Sequence, residues 1–455
     1  MNMSKRIYLS KNWILRKEPS REKKYSLYNI YDNKKYDINR SLFLICEYLQ
    51  NEATFSDLQT HFNLSGVETK EIMARIEKTW PQIFSYIDNN DDEFYSKNEN
   101  MNAYPFLDRY KVRLYTFPIS AEIHLTDSCN LRCRHCIHSC APKKSKLLNG
   151  VQWLSLFKSL ESNKLHRAVL TGGEIFTHPD IDFILYELGK INVRFELLTN
   201  ALLINQDRAQ KLASDNISLS ISLDGANAIS HEYLRGQGTF DKLIDRLNLL
   251  SNKKIPINFS VTIHSRNYNE IIQIYDLAKS FCCNSITFIF LDKHGRAEEN
   301  DDLHLTNEQR EHCLNIMKDL KKKEKDISIT IFDPTLGSPQ MLQSSEEKGE
   351  ESDVICCSGG TAHIAISPEG DVYPCVYAFG ADIFQAGNIV RQSIKDIWES
   401  TSFDLFRGKI SLEDLHTCKK CEMRKSCYLK NCRVRAYKYN QDLYGIPSCI
   451  KSSNL

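Results

Sequence analysis

Polar and apolar residues alternate along three short runs near the start of the chain, Trp13–Arg16, Tyr25–Tyr31 and Lys35–Ile38. This pattern predicts three strands, with Asp32-Asn33 as a hairpin turn. The period then lengthens. Ser41–Leu49 sets Leu42, Ile45, Cys46 and Leu49 on one helical face, Phe55–Phe62 opens after Thr54 as an N-cap, and Glu68–Ile83 repeats Ile72, Ile76 and Trp80 at helical spacing. A three-stranded sheet followed by three helices is a winged-helix-like α+β plan for residues 1–100, and residues 88–102 read as a polar linker. From 115 to 330 strand and helix patterns alternate, with strands at 119–125, 167–171, 192–199, 216–223, 256–263 and 285–291. Helices fall between them at about 151–162, 180–190, 206–214, 239–252 and 267–280. Six β/α units predict an α/β fold with a parallel sheet and function at the C-terminal ends of its strands. In the third segment, 331–455, an acidic stretch at 346–353 reads as a linker, and Ile364–Ser367 and Asp371–Tyr373 flank Pro368-Glu369-Gly370 as a hairpin.

At 455 residues the chain has room for two or three cores. A formal net charge of +1 provides no global field for nucleic acid. The first forty residues nevertheless hold eleven basic against four acidic side chains, so the positive charge sits with the strands and not on the candidate recognition helix. A sheet edge in that setting suits addition of an incoming acidic peptide strand. No apolar run approaches the ~20 residues of a membrane span, and Met1-Asn2-Met3-Ser4-Lys5-Arg6 has no apolar signal region behind it. The expectation is a cytoplasmic protein with neither membrane nor nucleic acid as partner. Sixteen cysteines in a reducing compartment argue for metal rather than disulfides.

Three of them, Cys129, Cys133 and Cys136, are spaced Cys-x3-Cys-x2-Cys on a loop that follows the strand-like run 119–125. A [4Fe–4S] cube normally takes four thiolates, so three leave one iron open. Unliganded loop cysteines or three ligands of a zinc site are the alternatives; zinc usually draws on a Cys-x2-Cys pair and a distant partner pair. The stretch Thr126–Cys136 resembles the signature of radical S-adenosylmethionine enzymes. The resemblance implies that Cys129, Cys133 and Cys136 hold a [4Fe–4S] cluster whose open iron chelates S-adenosylmethionine, with cleavage to methionine and a 5′-deoxyadenosyl radical. It places His135 at a position that is often aromatic in the family and leaves Cys140 as a bystander thiol. Thr171-Gly172-Gly173-Glu174, which begins 35 residues past Cys136, looks like the family's segment for the cofactor amino group; two glycines permit close backbone approach and the carboxylate would meet a cation. Leu198-Thr199-Asn200 is another family-like strand end. Ser220-Ile221-Ser222-Leu223-Asp224-Gly225 with Arg235 is similar to the segment whose Ser222 and Arg235 would hold the cofactor carboxylate and ribose, a task suited to the guanidinium fork. Asp224 reads equally well as a structural residue before Gly225, and Asn267 matches a common polar position. Phe288–Leu291 with Gly295-Arg296-Ala297 ends the sixth strand and reads mainly as core packing. Six units suit the open, partial (β/α)6 barrel of this family.

The last segment carries Cys357, Gly370, Cys375, Cys418, Cys421, Cys427, Cys432 and Cys449. The array resembles the SPASM domain, an auxiliary iron–sulfur extension of the same family, with four residues before Cys432 where three are usual. By that resemblance Cys418, Cys421, Cys427 and Cys449 complete one auxiliary [4Fe–4S] cluster. Cys357, Cys375 and Cys432 hold a second, whose remaining position is open to Cys356 or a substrate thiolate; zinc in the Cys418-x2-Cys421 array is the alternative. Residues 1–100 are similar in pattern to precursor-recognition domains related to the small chaperone of pyrroloquinoline quinone synthesis. The domain order resembles maturases of ribosomally made peptides, and Thr171–Phe176 with His178-Pro179 is especially like subtilosin-type sactipeptide maturases. The implied function is thioether formation in a precursor peptide held by its leader, with a reductant such as flavodoxin or ferredoxin. Carbon–carbon or carbon–oxygen cross-linking is the nearest alternative. An iron–sulfur DNA-binding regulator and a non-catalytic electron carrier are the alternatives of other classes.

Overall fold

The computed structural model describes residues 6–10, 12–18, 24–30, 33–51, 53–87, 112, 114–142, 147–334, 354–422, 424, 427 and 429–447. The 88–102 and 346–353 linkers, Asp32 and Cys449 lie outside them. The chain divides into two compact units, one N-terminal and one holding most of the chain from 117 onward.

In the first unit β1 (Arg6–Leu9), β2 (Trp13–Lys17), β3 (Tyr25–Asn29) and β4 (Lys34–Asp37) precede α1 (Arg40–Tyr48). β5 (Ala53–Thr54), α2 (Phe55–Phe62), α3 (Gly66–Thr79) and β6 (Phe84–Ile87) follow. The three strands expected from alternation form the antiparallel sheet β2-β3-β4. A second sheet, ordered β5-β1-β6, escaped the sequence reading: β5 is two residues long, and β1 finds its partners far along the chain, Ile7 opposite Ala53 and Leu9 opposite Phe84. Helix α3 starts at Gly66 because Ser65 and Glu68 form a capping box. It stops at Thr79, short of the expected Ile83, because Pro81 disfavours helical backbone at Trp80. Leu15, Leu27, Phe43, Cys46, Phe55 and Met73 make the core. The buried Arg16–Glu18 pair closes at 2.6 Å, and Glu18 Oε2 accepts the Thr116 N–H at 2.7 Å, which ties residues 114–116 to this unit.

The second unit runs through β7 (Ser120–Thr126), α4 (Gly150–Ser162), β8 (Arg167–Gly172), α5 (Ile181–Leu188), β9 (Arg194–Thr199) and α6 (Gln206–Lys211). It continues with β10 (Ile217–Ser222), α7 (Ala228–Arg235), α8 (Phe240–Ser251), β11 (Ile257–Ile263), α9 (Ile271–Ser280), β12 (Ser285–Phe290), α10 (Asn307–Lys323) and β13 (Ser328–Phe332). All six expected strands are present. Helices α7 and α10 and strand β13 are additions. The C-terminal part holds β14 (Val354–Cys356), β15 (His363–Ile366), β16 (Asp371–Tyr373), β17 (Gly387–Asn388), α11 (Ile394–Glu399), β18 (Arg407–Ser411) and α12 (Arg433–Asn440).

The hairpin β15–β16 does not stand apart as expected. It extends the main sheet, which is ordered β13-β12-β11-β10-β9-β8-β7-β15-β16-β17. β15 runs parallel to β7 with Ile364 opposite Ala121 and Ile366 opposite Ile123, so its apolar alternation matches its neighbour's. The order has two free ends, β13 and β17, which makes the arrangement a partial barrel and not a closed one. Among the described residues no helix is long and apolar enough to cross a membrane.

Register gives this sheet two unlike faces. Ile221, Phe259, Ile286 and Ile329 form one row across β10–β13, each no more than 4% exposed. That face packs on the helices: Phe195 of β9 meets Phe157 of α4 edge-on at 5.5 Å. One residue along, Ser222, Ser260, Thr287 and Thr330 form the opposite row, and all four remain partly exposed. The inner face is therefore polar and open. Phe259→Ala should lower unfolding stability by about 3–5 kcal/mol, whereas Ser260→Ala on the same strand should stay within about 0.5 kcal/mol. Denaturant titration of the two variants checks this; equal losses would contradict a two-faced sheet.

Candidate functional site

The loop leaving β7 carries Cys129, Cys133 and Cys136. Cys129 N–H donates to Ala141 O at 3.2 Å, which closes the loop at its base, and Cys136 N–H donates to Cys133 O at 3.3 Å. Arg296, in the turn after β12, holds the loop from outside. Its Nε donates to Cys133 O at 2.7 Å, its Nη1 to Cys140 O at 2.9 Å and its backbone N–H to Cys136 O at 3.1 Å. Gly295 makes this approach possible: at φ +60°, a Cβ there would stand 2.4 Å from Ile137 O. The sequence reading treated this stretch chiefly as core; a Gly-Arg pair at a strand's C-terminal end was the available signal.

Gly172 and Gly173 lie against the same loop. A Cβ on Gly172, at φ +139°, would fall 2.0 Å from Thr126 O, and one on Gly173 would fall 2.2 Å from Ser128 O. The close approach expected of these glycines is thus made to the cysteine loop's own backbone. Glu174 is engaged by neighbouring donors. It is 1% exposed; Oε1 accepts Thr199 Oγ1–H at 2.7 Å and Phe176 N–H at 3.2 Å, and Oε2 accepts Asn200 N–H at 2.8 Å. Burial pushes its pKa up against these donors. One acceptor position remains on Oε2. Asn200 in turn donates Nδ2–H to Asn130 Oδ1 at 2.9 Å, bracing the loop between the first two cysteines. Ser222 ends β10 on the polar inner face.

Asp224 is fully buried and gathers the rest. Its Oδ2 accepts Arg235 Nε–H at 2.6 Å and its Oδ1 accepts Thr262 N–H at 2.7 Å, while Asn267 Nδ2 donates to its carbonyl at 3.1 Å. Burial would raise its pKa, but Arg235, His135 and His231 outweigh that and hold it at about 2. Of the two readings of Asp224, the structural one is what these contacts describe. Arg235 Nη1 reaches to 3.9 Å from Cys133 Sγ. His135 Nε2 lies 3.9 Å from Asp224 Oδ2, and its buried Nδ1 has no partner among the described residues. Burial pushes its pKa down to about 4.

These features fit an anionic metal–sulfur group bound by the loop. All the described cysteines are free thiols, and Cys129 and Cys133 are 8% exposed. Burial pushes Cys129 up to about 12 and also raises Cys133, with Arg235 opposing at Cys133. The nearby Cys140 thiol, taken as a bystander, and the backbone at Cys140 and His138 lower the Cys136 thiol against the effect of burial. Two guanidinium groups, an orphaned imidazole nitrogen and one spare carboxylate position surround the thiols. Among the described residues no three His, Cys, Asp or Glu side chains converge as a single ion would require; a cube instead takes each thiolate on a different iron.

In the C-terminal part Cys357 follows β14, Cys375 follows β16 and Cys432 stands at the N-cap of α12, and Cys432 is near enough to act on the other two thiols. Burial raises all three thiols, Cys357 to about 12, and Cys432 adds to the rise at Cys357 and Cys375. Beside them Asp292 receives Arg435 through two contacts of 3.3 Å and Tyr377 Oη–H at 3.3 Å. Cys418 and Cys421 share one turn, in which Cys421 N–H donates to Cys418 O at 3.2 Å, and Cys427 is partly buried.

Two histidines flank this architecture, His231 buried and His363 partly exposed. His231 is 2% exposed and accepts Asp224 N–H at 3.2 Å, and His363 Nδ1 lies 3.0 Å from Ser120 Oγ. Burial pushes each to about 4. Unfolded, each would protonate near 6.5. Their stabilising contribution is therefore complete above about pH 6.5 and declines towards pH 4, by up to about 1.4 kcal/mol per histidine per pH unit. The melting temperature should fall across that window, and His231→Gln with His363→Gln should flatten the slope; an unchanged slope in the double variant would refute the assignment.

The description "Radical SAM superfamily" matches residues 123–278, and "Iron-sulfur cluster-binding domain" (SPASM) matches 356–422. AdoMet-dependent heme synthase of Methanosarcina barkeri is 30% identical over 339 residues, spanning 72% of this chain and 94% of that protein. The antilisterial bacteriocin subtilosin biosynthesis protein AlbA of Bacillus subtilis is 26% identical over 331 residues, 71% of this chain and 70% of that one. Streptococcus suis SuiB, solved bound to precursor peptide SuiA, superposes with a TM-score of 0.72 at 15% identity, over 97% of this chain and 99% of that chain. The buried cysteine loop with its two guanidinium neighbours, the glycine-tight strand end beside it and the second cysteine array in the C-terminal part are thus those of a member of the radical S-adenosylmethionine superfamily with a SPASM domain.

Proposed function

We propose that this enzyme is a peptide maturase that joins a cysteine sulfur to a carbon of another residue in a ribosomally made precursor. The observation that carries this reading is the presence, on one chain, of a three-cysteine loop, a second cysteine array and an N-terminal unit with an exposed charged sheet edge. Among the described residues strand β4 pairs on one side only, with β3, and shows Lys34 and Lys35 to solvent. An acidic leader adding there as a further strand would bring its core segment to high local concentration. SuiB, which has the same fold over nearly its whole length, is known with its precursor bound, and AlbA acts in subtilosin biosynthesis.

In this reading Cys129, Cys133 and Cys136 hold the first [4Fe–4S] cluster, which with S-adenosylmethionine supplies a 5′-deoxyadenosyl radical able to remove a hydrogen atom. Gly172, Gly173 and the spare Oε2 position of Glu174 receive the cofactor's amino end. Ser222 and Arg235 hold its carboxylate and ribose, and His135 and Asn200 complete the wall. Cys418, Cys421, Cys427 and Cys449 hold one auxiliary cluster, and Cys357, Cys375 and Cys432 hold the other. Thioether formation removes one hydrogen atom, one proton and one electron, and the auxiliary array supports the last of these. A flavodoxin or ferredoxin serves as reductant, in the cytoplasm. A second reading, modification of a tetrapyrrole side chain, is favoured by the 30% identity to a heme synthase.

Cys129→Ala with Cys133→Ala and Cys136→Ala should abolish 5′-deoxyadenosine formation and leave roughly two thirds of the iron, as expected with one of three clusters removed; retained cleavage would refute the assignment. Mass spectrometry of the reduced enzyme with S-adenosylmethionine and the short peptide encoded beside it should show loss of two hydrogens per cross-link and cysteines closed to alkylation. The same mass loss with alkylatable cysteines would move the bond to carbon or oxygen. Turnover of a tetrapyrrole carboxylate with the peptide untouched would establish the second reading.

A further inference from the structure

Arg433 presents a charge that its surroundings do not balance. It opens helix α12 directly after Cys432 and is 0% exposed. Its Nη1 donates to Leu443 O at 2.9 Å and Gly445 O at 3.1 Å, its Nη2 donates to Lys430 O, and its buried Nε has no partner among the described residues. Among the described residues no carboxylate lies within ion-pair distance of it. Asp442 is the carboxylate of this loop, but it is one-third exposed and pairs with His416 Nδ1 at 3.1 Å. Backbone carbonyls supply dipoles and no net charge.

Arg407, in the same part of the fold, shows the contrast. It too is buried and donates to carbonyls, to Gly360 O and Trp398 O at 2.7 Å each. Its guanidinium also lies over the Trp398 ring at 4.5 Å and the Phe403 ring at 5.1 Å, and aromatic faces offset a buried cation. No ring contact to Arg433 is found among the described residues. Its neighbours are thiols. Cys432 adjoins it in sequence. The loop whose carbonyls it grips also binds the segment before Cys418, because His416 N–H donates to Tyr444 O at 3.1 Å. Cys418 packs against the cluster of Ile355, Ile410 and Leu415, and Ile355 lies two residues before Cys357. Burial pushes the Arg433 pKa down, and Cys418, Cys432, Asp442 and Cys357 oppose that. Arg433 thus adjoins Cys432 and is tied, through the loop 443–445, to the segment that leads into Cys418.

We propose that Arg433 is the shared counter-cation of both auxiliary centres and raises the reduction potential of each. The inference rests on the ligand assignment given above. Burying an isolated guanidinium is unfavourable, and metal-bound sulfur nearby offsets that cost. The same cation favours the reduced, more negative state of each centre, since net charge and hydrogen bonding set such potentials. Arg433 acts through the ligands and not on substrate, so it is a positioning residue.

The test is an EPR-monitored redox titration with iron analysis on the full-length, reconstituted chain carrying Cys129→Ala, Cys133→Ala and Cys136→Ala, so that every signal belongs to an auxiliary centre. Adding Arg433→Met should lower both potentials, whereas Arg433→Lys, which keeps the charge, should hold both near the parent values. Unchanged potentials in Arg433→Met with iron retained, or movement of one centre alone, overturns the proposal. If Arg433→Met cannot hold auxiliary iron, Arg433→Lys decides: retention of both signals near the parent values supports the counter-cation, and their loss despite the kept charge overturns it. A parent chain with no auxiliary iron would remove the ligand assignment itself, and the inference with it.

Discussion

The catalytic unit depends on one buried ion pair. Asp224 and Arg235 meet at 2.6 Å, with the carboxylate fully enclosed. Losing one partner of such a pair typically costs about 3–5 kcal/mol, because the other is left buried and unpaired. The pair links parts that are distant in sequence. Asp224 leaves β10, its other oxygen takes a β11 amide, and its carbonyl receives Asn267 from the turn after β11. Arg235 closes α7 and extends towards Cys133. A shift of this pair would move the cysteine loop, two strand ends and a helix together.

That anchor operates within a sheet whose two faces have different tasks. One face is close-packed against helices and supplies the stability. The other, with Ser222, Ser260, Thr287 and Thr330 in one row, offers hydroxyl groups able to meet a polar cofactor or a peptide backbone without a fixed charge. Fixed charges are concentrated at the strand ends, in Glu174, Asp224, Arg235 and Arg296, where the cysteine loop lies. Stability and chemistry are thereby assigned to alternate residues of the same strands.

The sequence was most legible where a period or a spacing is local. The six strands of the sheet came from two-residue alternation, and the cysteine loop came from intervals inside eight residues. What escaped depended on distance. β5 has two residues and is a strand only because β1 lies beside it. β15 belongs to the main sheet because its apolar residues match those of β7, and neither sequence alone announces the match. The surroundings of Glu174 were hidden for a related reason: the motif shows a carboxylate after two glycines, but not that Thr199 and Asn200 at the end of another strand donate to it. Arg433 was invisible because an arginine beside a cysteine has no period, and only its enclosure exposes the uncompensated charge.

The placement of β15 next to β7 also constrains how the molecule assembles. Ser120 and His363 touch although they are 243 residues apart in the chain. During synthesis β7 therefore emerges long before its neighbour and presents an unpaired edge, a template for wrong pairing, until β15 arrives. Contacts of such separation are slow to form, since loop closure precedes any gain from pairing.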